Sequence, residues 1–343
     1  MFGWSGRGFE RDMKVIGNSN GLLFAVALAT VLLSSPAMAE AQSKSQAQVK
    51  SQAQSKSKAQ PKAQAQPREL AGMLKKIKDS GVISLGHRAA SIPFSYYDGE
   101  RQVIGYSQEL MLKVVEAIKA DLKMATIDIK LVPVNSSNRL EMVADGLVDI
   151  ECGSTTNNSK RQKKVSFSTT IFIIGTRLLT NRDSGVLDFP DLSGKNVVTT
   201  KGTTSERLLR EMNDSKKMNM SIIAARDHGE AFLILETRRA AAFMMDDALL
   251  YGELAKAKKP EDWAVVGTPQ SFEAYGCILP KDDLPFKEVV DRALTTAMTS
   301  GEAEKIYARW FLQPIPPKGL NLNFPLSDAM KELYKAPNDK AFD

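Results

Sequence analysis

The sequence contains very few thiol and imidazole side chains. There are two cysteines and two histidines among 343 residues. Two cysteines cannot build a disulfide-dense scaffold or a four-thiolate zinc site. His87 and His228 are too few for an imidazole-based metal site, so we expect neither a metal nor a cofactor.

Excess charge is scarce outside the N-terminal segment. Residues 1–66 carry eight basic and three acidic side chains, whereas the other 277 residues carry 38 and 37. The body is therefore almost neutral, and nucleic-acid binding loses its electrostatic basis. With 43% hydrophobic and 25% charged residues, the composition is that of an ordinary globular chain of one large or two smaller domains.

The N-terminal apolar run is too short to cross a membrane. It extends from Gly21 to Leu33 after three basic side chains, and Ala37-Met38-Ala39 follows as a small-residue cleavage pattern. A membrane span needs about 20 apolar residues. The pattern predicts a cleaved signal peptide over residues 1–39, with an uncleaved anchor as the alternative.

Residues 40–67 are predicted to be a disordered linker. From 41 to 66 the chain has only Ala, Gln, Ser, Lys, Val and Pro. Such a segment cannot bury enough apolar surface to offset its conformational entropy. Its five lysines could contact anionic lipid or cell wall, but a solvated spacer is the simpler interpretation.

From Arg68 onward, short β-type runs alternate with amphipathic helices. The first strand is expected at Val82–Leu85, and Ser107 is expected to cap a helix. That helix would place on its inner face four residues at four-residue spacing: Leu110, Val114, Ile118 and Leu122. The repeated order predicts an α/β fold of two lobes, each a helix-covered and mainly parallel sheet.

The second half repeats this order after Ile171. A helix that carries Phe232, Leu233 and Leu235 is expected to begin at His228. The last segment is too short to fold alone, so it should return to the first lobe.

The lobe boundaries follow from that return. The expected lobe I is 68–170 with a return segment at 271–343, and lobe II is 171–270. Two parallel crossings between lobes, near 170–175 and 268–274, would make a hinge.

Six segments together resemble a known family. They are SIPFSYYDGERQVIGYSQEL (91–110), DIECGSTTNNSKRQKKVSFS (149–168), TTKGTTSERLL (199–209), ARDHGEAF (225–232), AFMMDDALL (242–250) and EAYGCILPKDD (273–283). In this order they resemble the polar amino-acid solute-binding proteins of ABC importers, and particularly the glutamate/aspartate-binding branch. The resemblance covers roughly residues 69–341.

The resemblance implies a fold, a location and a ligand. The expected fold is the type II periplasmic-binding-protein fold with a two-strand hinge. The expected protein is a periplasmic, monomeric, non-enzymatic receptor that delivers L-glutamate or L-aspartate to a membrane permease. A periplasmic enzyme on the same architecture, such as a dehydratase, is the alternative.

The resemblance also implies three arginines as carboxylate ligands. Arg161 would pair with the ligand α-carboxylate, because a guanidinium fork binds a carboxylate bidentately. Arg88 and Arg139, with Ser136, would distinguish this branch from relatives with neutral ligands. The alternative for Arg161 is a solvated position in a basic cluster.

Further positions are expected to complete the site. Asp246 would bind the ligand ammonium and Asp247 would cap the next helix, or the two would exchange roles. His228 is a candidate for the side-chain carboxylate, whereas His87 is expected to be structural. Four hydroxyl residues at strand ends and helix starts would supply donors, although the threonines could serve only as caps: Ser154, Thr156, Thr203 and Thr204.

The two cysteines leave two possibilities open. Cys152 and Cys277 are expected on strands that could be neighbours in one sheet. They would form either a disulfide, which the periplasm permits, or two separately buried thiols.

Overall fold

The computed structural model describes residues 70–342, so the predicted signal peptide and linker lie outside the described residues. Over 70–342, no helix is long and apolar enough to cross a membrane. The same stretch contains no group of three or more His, Cys, Asp or Glu residues placed to hold a metal ion.

Strands and helices alternate along most of this region. The strands are β1 (Val82–His87), β2 (Ala90–Ser91), β3 (Ser95–Tyr97), β4 (Val103–Ile104), β5 (Asp128–Pro133), β6 (Ile150–Glu151), β7 (Ser166–Ile174), β8 (Thr176–Asn181), β9 (Asn196–Thr200), β10 (Ser221–Ala225), β11 (Ala242–Asp246), β12 (Trp263–Val266), β13 (Glu273–Leu279), β14 (Pro314–Ile315) and β15 (Leu320–Asn321). The α-helices are α1 (Gly72–Ser80), α2 (Tyr106–Asp121), α3 (Arg139–Ala144), α4 (Ser159–Gln162), α5 (Thr204–Ser215), α6 (His228–Glu236), α7 (Asp247–Leu254), α8 (Leu284–Thr299), α9 (Glu302–Phe311) and α10 (Asp328–Lys335).

Two five-stranded sheets form the two lobes. The first has the order β5-β1-β6-β13-β7 and the second has the order β10-β9-β11-β8-β12. In each sheet four strands run in one direction and one strand runs against them, namely β13 in the first sheet and β8 in the second. The sheets are therefore mixed, because the strand with which the chain enters a sheet after each crossing runs against the other four.

The chain passes between the sheets at two adjacent places. β7 and β8 are separated only by Gly175, and residues 267–272 connect β12 to β13. A Cβ on Gly175 would lie 2.9 Å from Pro269 Cβ, so the two connections pack against each other. The Thr176 carbonyl accepts a hydrogen bond from the Gln270 amide (3.0 Å). These contacts make a double-stranded hinge.

The first connection lies slightly later than expected. The sequence pattern places residues 171–174 in lobe II, but β7 pairs with β13 as far as Ile174 opposite Glu273. The pairing of residues 172–174 with β13 keeps this stretch in the first sheet. The pattern shows an extended segment there but not its pairing partner.

The helices bury most of the faces that the periodicity indicates. The expected inner face of α2 is buried, but Ser107 is not a cap: it lies inside the helix, and its hydroxyl donates to the Gly153 carbonyl (2.9 Å). In α6, which begins at His228 as expected, Phe232, Ile234 and Leu235 are buried and Leu233 is 56% exposed. The inner face of α6 therefore includes Ile234 and leaves Leu233 outside.

Cys152 and Cys277 form a disulfide inside the first sheet. Cys152 follows β6, Cys277 lies in β13, and these strands are neighbours. The bond closes a sequence separation of 125 residues and ties the return strand to the earlier part of lobe I. Of the two possibilities for the cysteines, the disulfide is the one that the structure contains.

The disulfide generates a stability prediction. Replacing both cysteines with alanine should lower the free energy of unfolding by about 2–5 kcal/mol, because a long loop gains entropy in the unfolded chain. Urea unfolding followed by circular dichroism measures the change. An unchanged midpoint would show that the sheet pairing alone holds β13 in place.

Candidate functional site

The predicted site residues lie in the gap between the two sheets. Arg88 follows the carboxyl end of β1, Ser154 lies just beyond β6, and Asp246 ends β11. In open α/β sheets, the carboxyl ends of parallel strands are the usual place for a ligand. Both lobes thus direct polar residues toward one space.

Arg88 is fully buried and held by hydroxyl groups. Its Nη2 donates to Ser136 Oγ (2.7 Å) and its Nη1 to Ser154 Oγ (3.4 Å). Its backbone N–H donates to Ser95 Oγ (3.0 Å). The side chain is therefore oriented by neutral partners, and its charge is not neutralised by contact.

Arg139 and Arg161 are likewise anchored by carbonyl groups. Arg139 Nη1 donates to the Ser154 carbonyl (2.8 Å), and its buried Nε has no hydrogen-bond partner among the described residues. Arg161 Nη1 donates to the Thr156 carbonyl (2.8 Å) and Nη2 to the Gly202 carbonyl (3.3 Å). Arg161 is 9% exposed, so it is not part of a solvated basic cluster.

The three guanidinium groups make no ion pair with a carboxylate anywhere in the described chain. Burial, and then repulsion from Arg139, lower the pKa of Arg88 and the pKa of Arg161 to about 9. Burial also lowers the pKa of Arg139. With pKa values of about 9, Arg88 and Arg161 stay charged near neutral pH, and donors such as Arg139 Nε remain free for an anion.

Asp246 is a buried acceptor on the opposite side of the gap. Its Oδ1 accepts hydrogen bonds from Thr176 Oγ1 (3.0 Å) and Ser205 Oγ (3.1 Å), and its Oδ2 accepts one from the Tyr275 hydroxyl. Burial and the nearby Glu273 raise the pKa of Asp246. An ammonium group there would favour the ionised carboxylate.

Asp247 does not cap the next helix as expected. Asp246 occupies the N-cap position without a side-chain cap bond, and Asp247 is the first residue of α7. Burial raises the pKa of Asp247 to about 6. The one-residue difference arises because β11 leads into α7 without an intervening turn.

His228 begins α6 and is almost completely buried. Thr200 Oγ1 lies 2.8 Å from its Nδ1, and its Nε2 has no partner in the described region. Burial, with repulsion from Arg88 and Arg139, lowers the pKa of His228 well below its ordinary value. His228 is therefore a neutral imidazole that can donate from Nε2, provided that Nδ1 accepts from Thr200.

The hydroxyl residues divide into two groups. Thr156 and Thr204 meet across the gap, with their hydroxyl oxygens 3.4 Å apart, and Thr204 also donates to Glu273 Oε2 (3.0 Å). Thr203 instead caps α5: its Oγ1 accepts from the Glu206 amide (3.0 Å) and donates to the Thr200 carbonyl (2.7 Å). The capping alternative therefore describes the Thr203 hydroxyl.

Sequence reasoning missed several buried polar residues around the site. Glu151 and Glu273 add two buried carboxyl groups, and Tyr275 donates to Asp246. Glu273 and Tyr275 stand in one of the segments that carry the resemblance, but nothing in the local pattern marks their side chains as polar neighbours of the gap. The three arginines therefore face three buried acids in total.

The lobes are in direct contact around the gap. Ser137 Oγ donates to the Lys201 carbonyl (3.3 Å), and a Cβ on Gly202 would lie 2.8 Å from the Ser136 carbonyl oxygen. A cavity of about 350 Å³ opens at this seam, lined by residues that include Arg161 and Thr204. This is a closed arrangement of two lobes.

The model of the bacterial extracellular solute-binding proteins, family 3, matches residues 83–313. The chain belongs to this family. It is 62% identical over 274 residues to the L-glutamate/L-aspartate-binding protein of Pseudomonas aeruginosa, covering 80% of this chain and 91% of that protein. It is 56% identical to the glutamate/aspartate import solute-binding protein of Escherichia coli K12, covering 78% and 89%.

Solved structures of the same architecture agree with the fold. A mutant of ArgBP from T. maritima has a TM-score of 0.62 at 23% identity, covering 69% of this chain and 98% of that one. A cysteine-binding protein from Campylobacter jejuni also has a TM-score of 0.62, at 22% identity, covering 74% and 98%. The type II two-lobed fold expected from the resemblance is thereby confirmed.

The contact at Gly202 generates a prediction about lobe closure. Gly202→Ala should weaken the affinity for L-glutamate, the ligand that the resemblance implies, about tenfold, because the added methyl would meet Ser136 across the gap. Calorimetry measures the affinity.

Gly194→Ala is the matched control. Gly194 has a similar positive φ (71° against 80°), but nothing lies within 4 Å of an added Cβ. Backbone strain is thus common to both variants, and only one has the contact between lobes. Equal affinities in the two variants would contradict closure through this contact.

Proposed function

We propose that this protein is a periplasmic receptor that captures L-glutamate or L-aspartate between its lobes and delivers it to an ABC importer. The observation that carries the proposal is the set of three buried arginines without an ion pair. A dicarboxylic amino acid supplies two carboxylates and one ammonium, which match guanidinium groups on one side and Asp246 on the other.

The roles divide by position. Arg161 and the start of α5 lie together at one end of the gap, where a helix start favours the α-carboxylate. Arg88 and Arg139, which both donate hydrogen bonds to Ser154, form a second cationic group for the distal carboxylate. Arg88 also donates to Ser136. The names of the Pseudomonas aeruginosa and Escherichia coli relatives support the same ligand pair.

A calorimetric screen of the twenty amino acids tests the function. We expect saturable one-to-one binding of glutamate and aspartate, with glutamine and asparagine at least about tenfold weaker, since an unpaired buried guanidinium is costly. Mass analysis after long incubation should return unaltered ligand. A changed ligand would favour the enzymatic alternative.

Two arginine substitutions separate the two carboxylates of the ligand. Arg139→Ala should weaken glutamate binding by about 100-fold and glutamine binding much less, because glutamine has no distal carboxylate. Arg161→Ala should weaken both ligands about equally, since both share the α-carboxylate. Calorimetry with both ligands measures the ratios, and equal losses in Arg139→Ala would refute its assignment.

The raised pKa of Asp246 generates a pH prediction. In the free protein the carboxyl group of Asp246 is protonated in a fraction of the molecules. A bound ammonium group favours the ionised carboxylate, so ligand binding should release a proton. Affinity for glutamate should therefore rise between about pH 6 and about pH 7.5. Calorimetry in two buffers of different ionisation enthalpy measures the proton release.

Asp246→Asn is the control for that measurement. The amide cannot titrate, so the proton release and the pH dependence should both disappear while the affinity falls. Proton release that persists in this variant would assign the titration to another group.

A further inference from the structure

Glu151 is a buried acid to which the proposed function gives no role. It ends β6 in the middle of the first sheet, between Gly86 of β1 and Ile278 of β13. Its exposure is 0%. The residue therefore lies inside lobe I, close to the residues that line the gap.

Two glycines make room for the Glu151 side chain. A Cβ on Gly153 would lie 2.4 Å from Glu151 Oε1, and a Cβ on Gly86 would lie 3.0 Å from Glu151 Cβ. The Gly153 Cβ would also lie 3.0 Å from Arg88 Cγ. The carboxylate thus occupies a space beside the Arg88 stem that any larger residue at 153 would fill.

The carboxylate is only partly satisfied. Oε2 accepts a hydrogen bond from Thr155 Oγ1 (2.9 Å), whereas the buried Oε1 has no partner among residues 70–342. A buried charge with a free oxygen is unfavourable unless nearby opposite charges compensate it. Those charges are the guanidinium groups.

All three arginines of the gap are stabilised by the Glu151 charge. Glu151 raises the pKa of Arg88, Arg139 and Arg161 against the lowering caused by burial, and for Arg139 it is the strongest favourable charge. Yet Glu151 forms no ion pair with any of them. It offsets their charge from a distance and leaves their N–H donors available to a ligand.

The charge of the gap follows from this arrangement. Glu151, Asp246 and Glu273 act on the three guanidinium groups, and they offset part of the positive charge before a ligand enters. Repulsion between Glu151 and a ligand grows with the negative charge of the ligand. An amino acid of net charge −1 is opposed less than a dicarboxylate of charge −2.

We propose that Glu151 is a fixed counter-charge that makes this gap select dicarboxylic amino acids against dicarboxylates that lack an ammonium group. The inference rests on the proposed function and names a specificity residue for it. Glu151 acts through the arginines and the field in the gap, without touching the ligand.

Aspartate and succinate are the appropriate probes, because they differ by the ammonium group alone. In Glu151→Gln, which keeps the side-chain shape and an oxygen for Thr155, the affinity for succinate should rise relative to that for L-aspartate. We expect the dissociation constant for succinate, divided by that for L-aspartate, to fall about tenfold or more. Calorimetry at neutral pH measures both ligands.

Glu141→Gln is the matched control. Glu141 lies in α3, the helix that carries Arg139, and pairs with Lys164 at the surface (2.6 Å). Its loss removes the same charge from an exposed position, where solvent screens it. The ratio should stay at the wild-type value.

A ratio in Glu151→Gln equal to that of the wild type would overturn the inference, even if both affinities fell together. Glu151→Met supplies a second neutral side chain of similar size. Failure of both variants to fold would also overturn it, because Glu151 would then be required for the fold itself. A wild-type protein that binds neither aspartate nor glutamate would refute the proposed function, and the inference with it.

Discussion

Burial of three positive charges without an ion pair is the constraint on which the rest of the site depends. Each guanidinium of Arg88, Arg139 and Arg161 is oriented by hydroxyl or carbonyl oxygens and balanced only by acids at a distance. Burying such charged groups away from water is unfavourable unless an anion binds them. The three guanidinium groups therefore remain available to bind an anion, whereas in most folds buried carboxylates would pair with them.

The fold supplies the rigidity that this arrangement requires. The arginines and acids stand at the ends of strands in two sheets, and the disulfide ties the returning strand β13 to lobe I. The two adjacent connections between the lobes pack at Gly175, while Gly202 permits close approach at the seam. A preorganised site on two hinged lobes can thus enclose a small ligand without remodelling either lobe.

Much of the fold could be predicted from periodicity, and the residues that lie around the gap could be predicted from the resemblance. Strand ends and helix starts carry local signals, so the amino-acid sequence itself locates Arg88, Asp246 and His228. The helix α6 shows the limit of local patterns, because a continuous apolar run does not distinguish buried Ile234 from exposed Leu233.

The buried acids could not be predicted in this way. Glu151 and Glu273 lie in apolar strands, and their role depends on which strands become neighbours and on the room left by distant glycines. The pairing of Ile174 with Glu273 likewise joins residues that are far apart in the sequence, so a local pattern cannot predict it. The amino-acid sequence thus points to the arginines and Asp246, but not to the buried acids that act on the arginines.

A crystal structure of the protein grown with L-glutamate would show directly whether the buried arginines bind the ligand. We expect both ligand carboxylates on the guanidinium groups of Arg88, Arg139 and Arg161, with the ammonium on Asp246. A ligand bound elsewhere, or arginines neutralised by internal carboxylates with no ligand contact, would contradict it.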